Sequence, residues 1–110
     1  MKIYYSNRKK DFDAIGIVEN GSDWIVCKGS RINIAASNSI GDEVKYLREK
    51  KGVVIDGVLQ EDIHFKSATK AAQFVSGYST NGMKAWRTEE GEYISKYIKG
   101  KQRRPFMRSK

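Results

Sequence analysis

The stretch from Phe65 to Gly91 contains, in this order, a helix cap, a helix of small residues, a helix breaker, a tight turn and a tryptophan. Ser67 is a preferred N-cap residue, and the small apolar residues after it recur at helical spacing. Gly77 is typical of the position that ends a helix, and Asn81-Gly82 is typical of a turn. The order therefore predicts a short helix over residues 67–76. Few of these side chains take part in covalent catalysis, so the stretch favours a recognition module over an enzyme.

The first third of the chain has the pattern of a β-hairpin. Residues 12–19 approximately alternate apolar and polar side chains, and Asn20-Gly21-Ser22 is a strong turn signal. Residues 23–28, apolar from Trp24 to Cys27, have the pattern of the return strand. Alternation on both sides of such a turn predicts two antiparallel strands. Tyr4-Tyr5 is compatible with a further short strand.

The middle of the chain predicts a second helix and a second, shorter hairpin. Residues 40–51 place apolar side chains three and four apart, and Gly52 follows. Residues 53–59 contain Asp56-Gly57 between apolar residues, which predicts a turn. Ile63–Phe65 is short and extended. Two segments stay open between strand and helix: residues 83–87 and 92–98.

Together these patterns predict one α+β domain, in which hairpins form a small antiparallel sheet and two helices, near 40–51 and 67–76, pack on one face. A chain of 110 residues is enough for one domain with a modest core. We divide it into a basic N-terminal segment, 1–10, a globular domain, 11–98, and a basic, flexible tail, 99–110.

The net charge of +8 comes from the two ends of the chain. Residues 1–10 hold four basic side chains and no acidic one, and residues 99–110 hold six and none, whereas residues 11–98 hold eleven basic and thirteen acidic ones. Basic ends of this kind suit contacts with nucleic-acid phosphates. The alternative is a solvated tail that only keeps the protein soluble.

The sequence indicates a cytoplasmic protein. No apolar run approaches the ~20 residues that span a bilayer, and the N-terminus is too polar for a signal peptide. The chain has one cysteine, Cys27, which excludes a disulfide framework and a cysteine pair for zinc. Membrane association is therefore not expected.

Candidates for catalysis or metal binding are few. His64, the one histidine, lies between apolar neighbours and has the pattern of a strand residue, and Cys27 lies in an apolar strand and is interpreted as a small core residue. The carboxylate pairs Glu61-Asp62 and Glu89-Glu90 are sequence neighbours, which are more often solvated than metal-bound. We therefore predict no enzyme activity, no metal site and no cofactor.

Aromatic and basic side chains provide better support for recognition. Aromatic rings with interleaved cations can stack on bases and hold phosphates, but the favoured interpretation is that Trp24, Phe65, Phe74 and Trp86 fill the core. The candidate nucleic-acid-binding residues are Lys28, Ser30, Lys66, Ser67, Thr69, Lys70, Asn81, Lys84, Arg87, Arg103 and Arg104. Ser67 and Thr69, at a helix N-terminus, are placed to contact a phosphate, and the alternative is simple helix capping.

A family resemblance is carried by the same region. Its residues are Lys28-Gly29-Ser30, Leu47-Arg48, Phe65, Ser67-Ala68, Ala71-Ala72, Val75, Gly77, Asn81-Gly82, Trp86 and Gly91. Over roughly residues 14–95 the chain resembles a small bacterial domain of unknown function that is found at the C-terminus of GIY-YIG nuclease-like proteins. Its closing Gly…Trp…Gly pattern is similar to that of the restriction-enzyme adenine methylase associated (RAMA) domain, proposed to read modified DNA. Ser67-Ala68-Thr69 departs from the Ser-Pro-Ser of the family.

The resemblance implies an accessory module in DNA transactions, and it provides no catalytic residue because the chain is long enough only for the appended domain and its tails. The expected function is non-catalytic binding of DNA, or reading of modified DNA, linked to restriction or nuclease systems. The alternative is a protein-interaction module that docks a nuclease or methylase partner. That alternative requires an exposed apolar patch around Tyr78, Met83 and Trp86.

Overall fold

The computed structural model describes residues 1–19 and 21–98. A four-stranded antiparallel sheet has the strand order β1-β2-β3-β6, and a two-stranded sheet pairs β4 with β5. The strands are β1 Lys2–Ser6, β2 Asp13–Val18, β3 Trp24–Val26, β4 Val54–Ile55, β5 Val58–Leu59 and β6 Ile63–Phe65. The helices are α1 Asp42–Glu49, α2 Ala68–Ser76 and the single turn α3 Gly82–Ala85, and a 3₁₀ turn covers Ile94–Lys96. The predicted α+β class is confirmed.

The predicted hairpin of the first third is present as β2 and β3. The register pairs Gly16 with Val26 and Val18 with Trp24. Gly21 has φ +83°, the left-handed conformation expected of a turn glycine, while Asn20 lies outside the described residues. Alternate side chains of β2 are buried and more exposed, so the strand has one face toward the core.

β1 lies inside the N-terminal segment that the sequence analysis set apart from the globular domain. All five of its residues pair with β2, from Lys2 opposite Ile17 to Ser6 opposite Asp13. The N-terminal ammonium group also donates to the carbonyl of Val18 at 3.0 Å. The sheet therefore begins at Lys2, and the basic run after β1 is the connection between two strands. The basic tail, 99–110, lies outside the described residues.

Both predicted helices form within a few residues of their expected ends. Ser67 caps α2, because its Oγ accepts the backbone N–H of Lys70 at 3.1 Å. Gly77 ends α2 in the left-handed conformation, φ +82°, and its N–H donates to the carbonyl of Gln73 at 2.8 Å. The segment left open at 83–87 begins as the helical turn α3.

The short helix α3 packs its first residue directly on the first turn of α2. A Cβ atom on Gly82 would lie 2.1 Å from the carbonyl carbon of Ala68 and 2.2 Å from the nitrogen of Thr69. Only glycine allows two backbones to approach this closely. Asn81-Gly82 is therefore required by packing between two helices as well as by a turn.

The core forms between the four-stranded sheet and α2. The four aromatic residues predicted for it, Trp24, Phe65, Phe74 and Trp86, are at most 3% exposed. Trp86 donates its indole N–H to the carbonyl of Ala68 at 3.2 Å. Because Trp86 is fully buried, it does not contribute to the exposed patch around Tyr78, Met83 and Trp86 that the protein-docking alternative requires.

Among residues 1–19 and 21–98, no helix combines the length and the hydrophobicity needed to cross a bilayer.

Candidate nucleic-acid interface

The corner between α2 and α3 uses three of the predicted contact residues to hold backbone groups. Ser67 Oγ accepts the N–H of Lys70, Thr69 Oγ1 accepts the N–H of Gly82 at 3.1 Å, and Asn81 Oδ1 accepts the N–H of Met83 at 3.0 Å. These bonds satisfy donors at the starts of two helices that have no partner inside the helix. Ser67 therefore caps α2, as the capping alternative for this position predicted, whereas Thr69 joins α2 to α3 and Asn81 caps α3.

Ser30 also has a structural role. It is 4% exposed, and its hydroxyl accepts the N–H of Ile15 at 3.1 Å and donates to the carbonyl of Ile15 at 3.2 Å. Both bonds join the loop after β3 to β2. Because the hydroxyl is buried, it is inaccessible to a nucleic acid, and Ser30 does not form the predicted contact.

Some of the predicted basic residues already have partners within the protein, and others do not among the described residues. Lys70 pairs with Glu43, with 2.8 Å between Nζ and Oε1. Arg87 donates to the carbonyl of Gly91 at 3.1 Å and to the hydroxyl of Tyr93 at 3.0 Å, and it lies 4.3 Å from the centre of the Tyr93 ring. The exposed side chains of Lys28, Lys66 and Lys84 form no ion pair within the part of the chain that the structure describes.

The sheet separates two of these lysines. Trp24 pairs with Phe65, and Val26 pairs with Ile63, so Lys66 and Lys28 lie at opposite ends of the β3–β6 ladder. At its end, Lys66 lines a cleft of 170 Å³. The other residues of that cleft are Gly21, Trp24, Ser67, Ala68, Thr69 and Met83. The predicted residues Arg103 and Arg104 lie outside the described residues.

Within the connection between β1 and β2, residues 7–11 present three consecutive cations, and we call them the basic hairpin loop. Its two ends are joined by Asn7, whose side chain accepts the N–H of Asp11 at 2.8 Å and donates to the Asp11 carboxylate at 3.0 Å. The N–H of Lys10 donates to the carbonyl of Asn7 at 3.1 Å, and Lys10 has φ +60°. The side chains of Arg8, Lys9 and Lys10 are exposed.

These cations were predicted to lie in a basic N-terminal segment, 1–10, whereas the structure places them in a loop between two paired strands. The available signal was Asn7 four residues before Asp11, with aromatic residues on either side at Tyr5 and Phe12. Asparagine and aspartate are common at turns because their side chains bond to nearby backbone groups. The alternating segments that flank them then indicate a hairpin.

Two features lie beside the basic hairpin loop. Lys10 Nζ is 3.5 Å from Ser6 Oγ, and Ser6 lines a 500 Å³ cleft together with Tyr4 and Arg87. On the core side, Phe12 has its ring centre 6.3 Å from that of Tyr78.

The Tyr78 ring is 41% exposed. Burial, a hydrogen bond with Tyr5 and the nearby Asp11 carboxylate raise the pKa of Tyr78, so this phenol stays protonated and can donate a hydrogen bond. Cationic, aromatic and hydroxyl groups therefore surround one end of the sheet.

His64 and Cys27, the two side chains considered for catalysis, both lie among the described residues. His64 Nδ1 lies 3.1 Å from Asp23 on the surface, with 61% of the histidine side chain exposed. Burial, and to a smaller extent the Asp62 carboxylate, raise the pKa of the Cys27 thiol, which disfavours the nucleophilic thiolate. Within the described residues no group of three or more His, Cys, Asp or Glu is arranged to hold a metal ion.

A cleft of 640 Å³ lies between α1 and the loop of residues 32–38. Arg48, which lines it, donates to the carbonyls of Asn33 and Phe74 and, at 3.2 Å, to that of Ala35. Burial lowers the pKa of Arg48. The guanidinium group thus joins α1, α2 and the loop, which is a structural role.

Comparison with known proteins gives a family for this chain. The model of a domain of unknown function, DUF4357, matches residues 4–98, which include all the strands and helices described above except the first two residues of β1. Among curated proteins and among solved structures, none matches the chain. Because the match extends over most of the 110 residues, the chain belongs to the DUF4357 family of domains of unknown function.

Proposed function

We propose that this protein is a non-catalytic DNA-binding module that contacts phosphates through its basic hairpin loop. The observation that carries the proposal is the conformation of Lys10, which has φ +60° in a loop closed by Asn7 and Asp11. A hairpin loop that ends in a left-handed residue most often has glycine there, because a Cβ atom in that conformation costs about 1–2 kcal/mol. Here the chain has a lysine.

A strained residue that folding does not require is a reason to look for a function. The loop places Arg8 and Lys9 next to Lys10, and none of the three forms an ion pair with the described residues. Three neighbouring cations repel one another, and this repulsion is relieved when an anion binds. Nucleic-acid phosphates provide anions at the required density.

The described part of the chain ends at the other end of the sheet, and the second basic segment, 99–110, follows it in the sequence. Ile98, the last described residue, lies beside Gly21, since a Cβ atom on that glycine would be 3.4 Å from Ile98 Cγ2. The basic hairpin loop is at the opposite end of β1, whose five residues span about 17 Å. That distance corresponds to about five base-pair steps of duplex DNA at 3.4 Å each. We propose that the loop and the basic residues that follow Ile98 in the sequence contact separate phosphates.

We further propose that the module serves proteins that act on DNA. This rests on the resemblance of roughly residues 14–95 to the domain found with GIY-YIG nuclease-like proteins, and of their closing Gly…Trp…Gly pattern to the RAMA domain. The resemblance supports an accessory role in restriction or nuclease systems. It does not identify the base or modification that is read.

The test is the binding of a fluorescent duplex DNA of about 20 base pairs across a salt series. We expect the triple variant R8Q/K9Q/K10Q to bind at least about tenfold more weakly at low salt, and the slope of log K against log salt to fall by about 2–3, at about 0.9 per phosphate contact. Deletion of residues 99–110 should also weaken binding.

A matched control removes three exposed cations from another surface, the end of α1, in the variant K45Q/K50Q/K51Q. This variant has the same net charge as the loop variant, and we expect it to keep most of the affinity. Equal losses in the two variants would show that only net charge matters and would contradict a loop-specific site. A wild-type protein that does not bind DNA at low salt would refute the proposed function.

A further inference from the structure

Three side chains with planar groups lie next to one another at the outer edge of β1. Arg87 forms an antiparallel bridge with Tyr4 on one side and with Tyr93 on the other. The backbones of Tyr4 and Arg87 exchange two hydrogen bonds of 2.8 Å. Side chains of directly opposite residues in antiparallel segments point to the same face, with Cβ atoms about 5 Å apart. Tyr4, Arg87 and Tyr93 therefore form one row, which we call the planar row.

The guanidinium group in the middle of the planar row is held in place. It lies 4.3 Å from the centre of the Tyr93 ring, and it donates to the Tyr93 hydroxyl at 3.0 Å and to the carbonyl of Gly91 at 3.1 Å. The Arg87 side chain is nevertheless exposed. A guanidinium group that is bonded in its plane and covered on one face can still stack with its second face.

The planar row borders the 500 Å³ cleft beside the basic hairpin loop, because Tyr4 and Arg87 both line it. This volume lies within the range of about 300–1,000 Å³ that is typical of small-molecule sites. Ser6 also lines the cleft, and its Oγ lies 3.5 Å from Nζ of Lys10 in the loop. Glu89, a further lining residue, forms no hydrogen bond or ion pair with the described residues through its carboxylate. The cleft thus combines planar groups and an acceptor with a neighbouring cation.

We propose that this cleft receives an unpaired base of a DNA strand whose phosphates contact the basic hairpin loop. The proposal rests on the DNA-binding function proposed above and adds which part of the DNA is recognised. Unpaired bases stack on tyrosine rings and on the planes of arginine side chains. A base also has an N–H donor on its pairing edge, which is free only when the base is unpaired, and the Glu89 carboxylate can accept it.

The state of the DNA determines whether a base can enter the cleft. In a continuous duplex, neighbouring base pairs cover both faces of each base, and the partner strand occupies its pairing edge. Moving a base out of the stack costs energy, and this cost is smallest where the base is mismatched or already unpaired. We therefore expect the protein to favour DNA with a bulged base over a continuous duplex. Since every base has a face that can stack, we expect little preference among the four bases.

The test compares three fluorescent DNAs that share one flanking sequence: a continuous duplex, the duplex with a one-nucleotide bulge, and the same bulge without its base. The wild-type protein should bind the bulge with its base at least about tenfold more tightly than the bulge without it, which is the usual strength of stacking on an aromatic side chain. Both bulges make the duplex easier to bend, so this ratio of affinities measures the base and not the bending.

Variants of the planar row test where the base binds. Tyr4→Leu removes the ring and keeps an apolar side chain, and Arg87→Lys removes the planar group and keeps the charge. Each should reduce the ratio to about threefold or less. Tyr46→Leu is the control, since Tyr46 is 64% exposed on α1 outside the cleft, and it should leave the ratio unchanged. Circular dichroism shows whether each variant is folded.

A fluorescent adenine analogue in the bulge, whose emission falls when its ring stacks, tests the wild-type protein without any variant. Its emission should fall when the protein binds. A protein that binds the continuous duplex, but neither distinguishes the two bulges nor quenches the analogue, would overturn the base-binding cleft and leave the proposed function intact. A protein that binds none of the three DNAs would refute the proposed function itself. A full ratio in folded Tyr4→Leu or Arg87→Lys, or an equal loss in Tyr46→Leu, would also overturn the cleft.

Discussion

The corner between α2 and α3 and the basic hairpin loop are both rich in polar side chains, but they use them in opposite ways. In the corner, Ser67, Thr69 and Asn81 each accept a backbone N–H at 3.0–3.1 Å. In the loop, Arg8 and Lys9 point into solvent, and none of the ion pairs among the described residues involves them. The polar side chains of the corner stabilise the fold, whereas the charged side chains of the loop are exposed and can bind a ligand.

The contrast between the corner and the loop indicates which polar side chains of a sequence are free to bind a ligand. A serine, threonine or asparagine next to a helix start has a backbone donor within reach, and bonding to it is the default. The side chains of Arg8 and Lys9 in the closed loop form no ion pair with the described residues, and Lys10 only approaches Ser6 Oγ, at 3.5 Å. Changes in the corner should therefore lower stability and leave DNA affinity unchanged, and changes in the loop should do the reverse.

The largest effect on stability should come from Gly82→Ala. The new Cβ atom would lie 2.1 Å from the backbone of Ala68, and neither backbone can move without breaking the corner. We expect a loss of about 3 kcal/mol in the free energy of unfolding, measured in urea.

Gly41→Ala is the matched control, because a Cβ atom on Gly41 would have no heavy atom within 4 Å. It should cost less than about 1 kcal/mol. Similar losses for the two variants would mean that α3 does not pack on α2 as described. Under conditions where Gly82→Ala is still folded, its DNA affinity should match that of the wild type.

Ser67→Ala should cost about 1 kcal/mol, the usual value of an N-cap side chain. Ser67→Asn should recover most of this loss, since the asparagine side chain can accept the same N–H of Lys70. Neither variant should change DNA affinity, because the hydroxyl is already bonded. A clear loss of DNA affinity in Ser67→Ala would show that Ser67 contacts DNA. It would contradict the proposed difference between the corner and the loop.

The fold could be predicted from the sequence largely because its turns have recognisable residues. Asp56, with φ +52°, and Gly57, with φ +79°, form the turn of the β4–β5 hairpin, and Gly77 ends α2, as their residue types indicate. The segment 83–87 could not be assigned, since α3 is only four residues long and exists through its contact with Ala68. Its periodicity alone is too short to distinguish a strand from a helix.

The candidate site was harder to predict, because a side chain can bind a ligand only if it has no partner within the protein, and such partners are often distant in sequence. Ser30 bonds to Ile15, and Lys70 pairs with Glu43, 27 residues away. The sequence does not reveal these partners. It does contain Asn7 and Asp11, but their role in closing the loop appears only once β1 is paired with β2.

Lys10→Gly should have a smaller effect on stability, and of opposite sign. Glycine adopts φ +60° without strain but costs more chain entropy on folding, so we expect a net stabilisation of about 0.5 kcal/mol. DNA affinity should fall, because a cation is lost. Lys9→Gly removes the same charge at a residue without positive φ, so it should lower affinity comparably without stabilising the fold. A Lys10→Gly variant with unchanged DNA affinity would show that the lysine in this strained conformation is not needed for binding, and would contradict its proposed role.

The smallest effect on stability should come from the Lys70–Glu43 pair. Its groups are 2.8 Å apart, but the side chains are 47% and 61% exposed, and pairs of this kind are worth less than about 0.5 kcal/mol. Lys70→Ala, Glu43→Ala and the double variant form a thermodynamic cycle that measures the coupling from urea unfolding. Because Glu43 offsets the charge of Lys70, Lys70→Ala should reduce DNA affinity less than Lys66→Ala, which removes a cation without an ion-pair partner among the described residues. If Lys70→Ala has the larger effect on DNA affinity, a lysine that is paired within the fold still contacts DNA. The presence of a partner within the protein would then not predict which lysines bind.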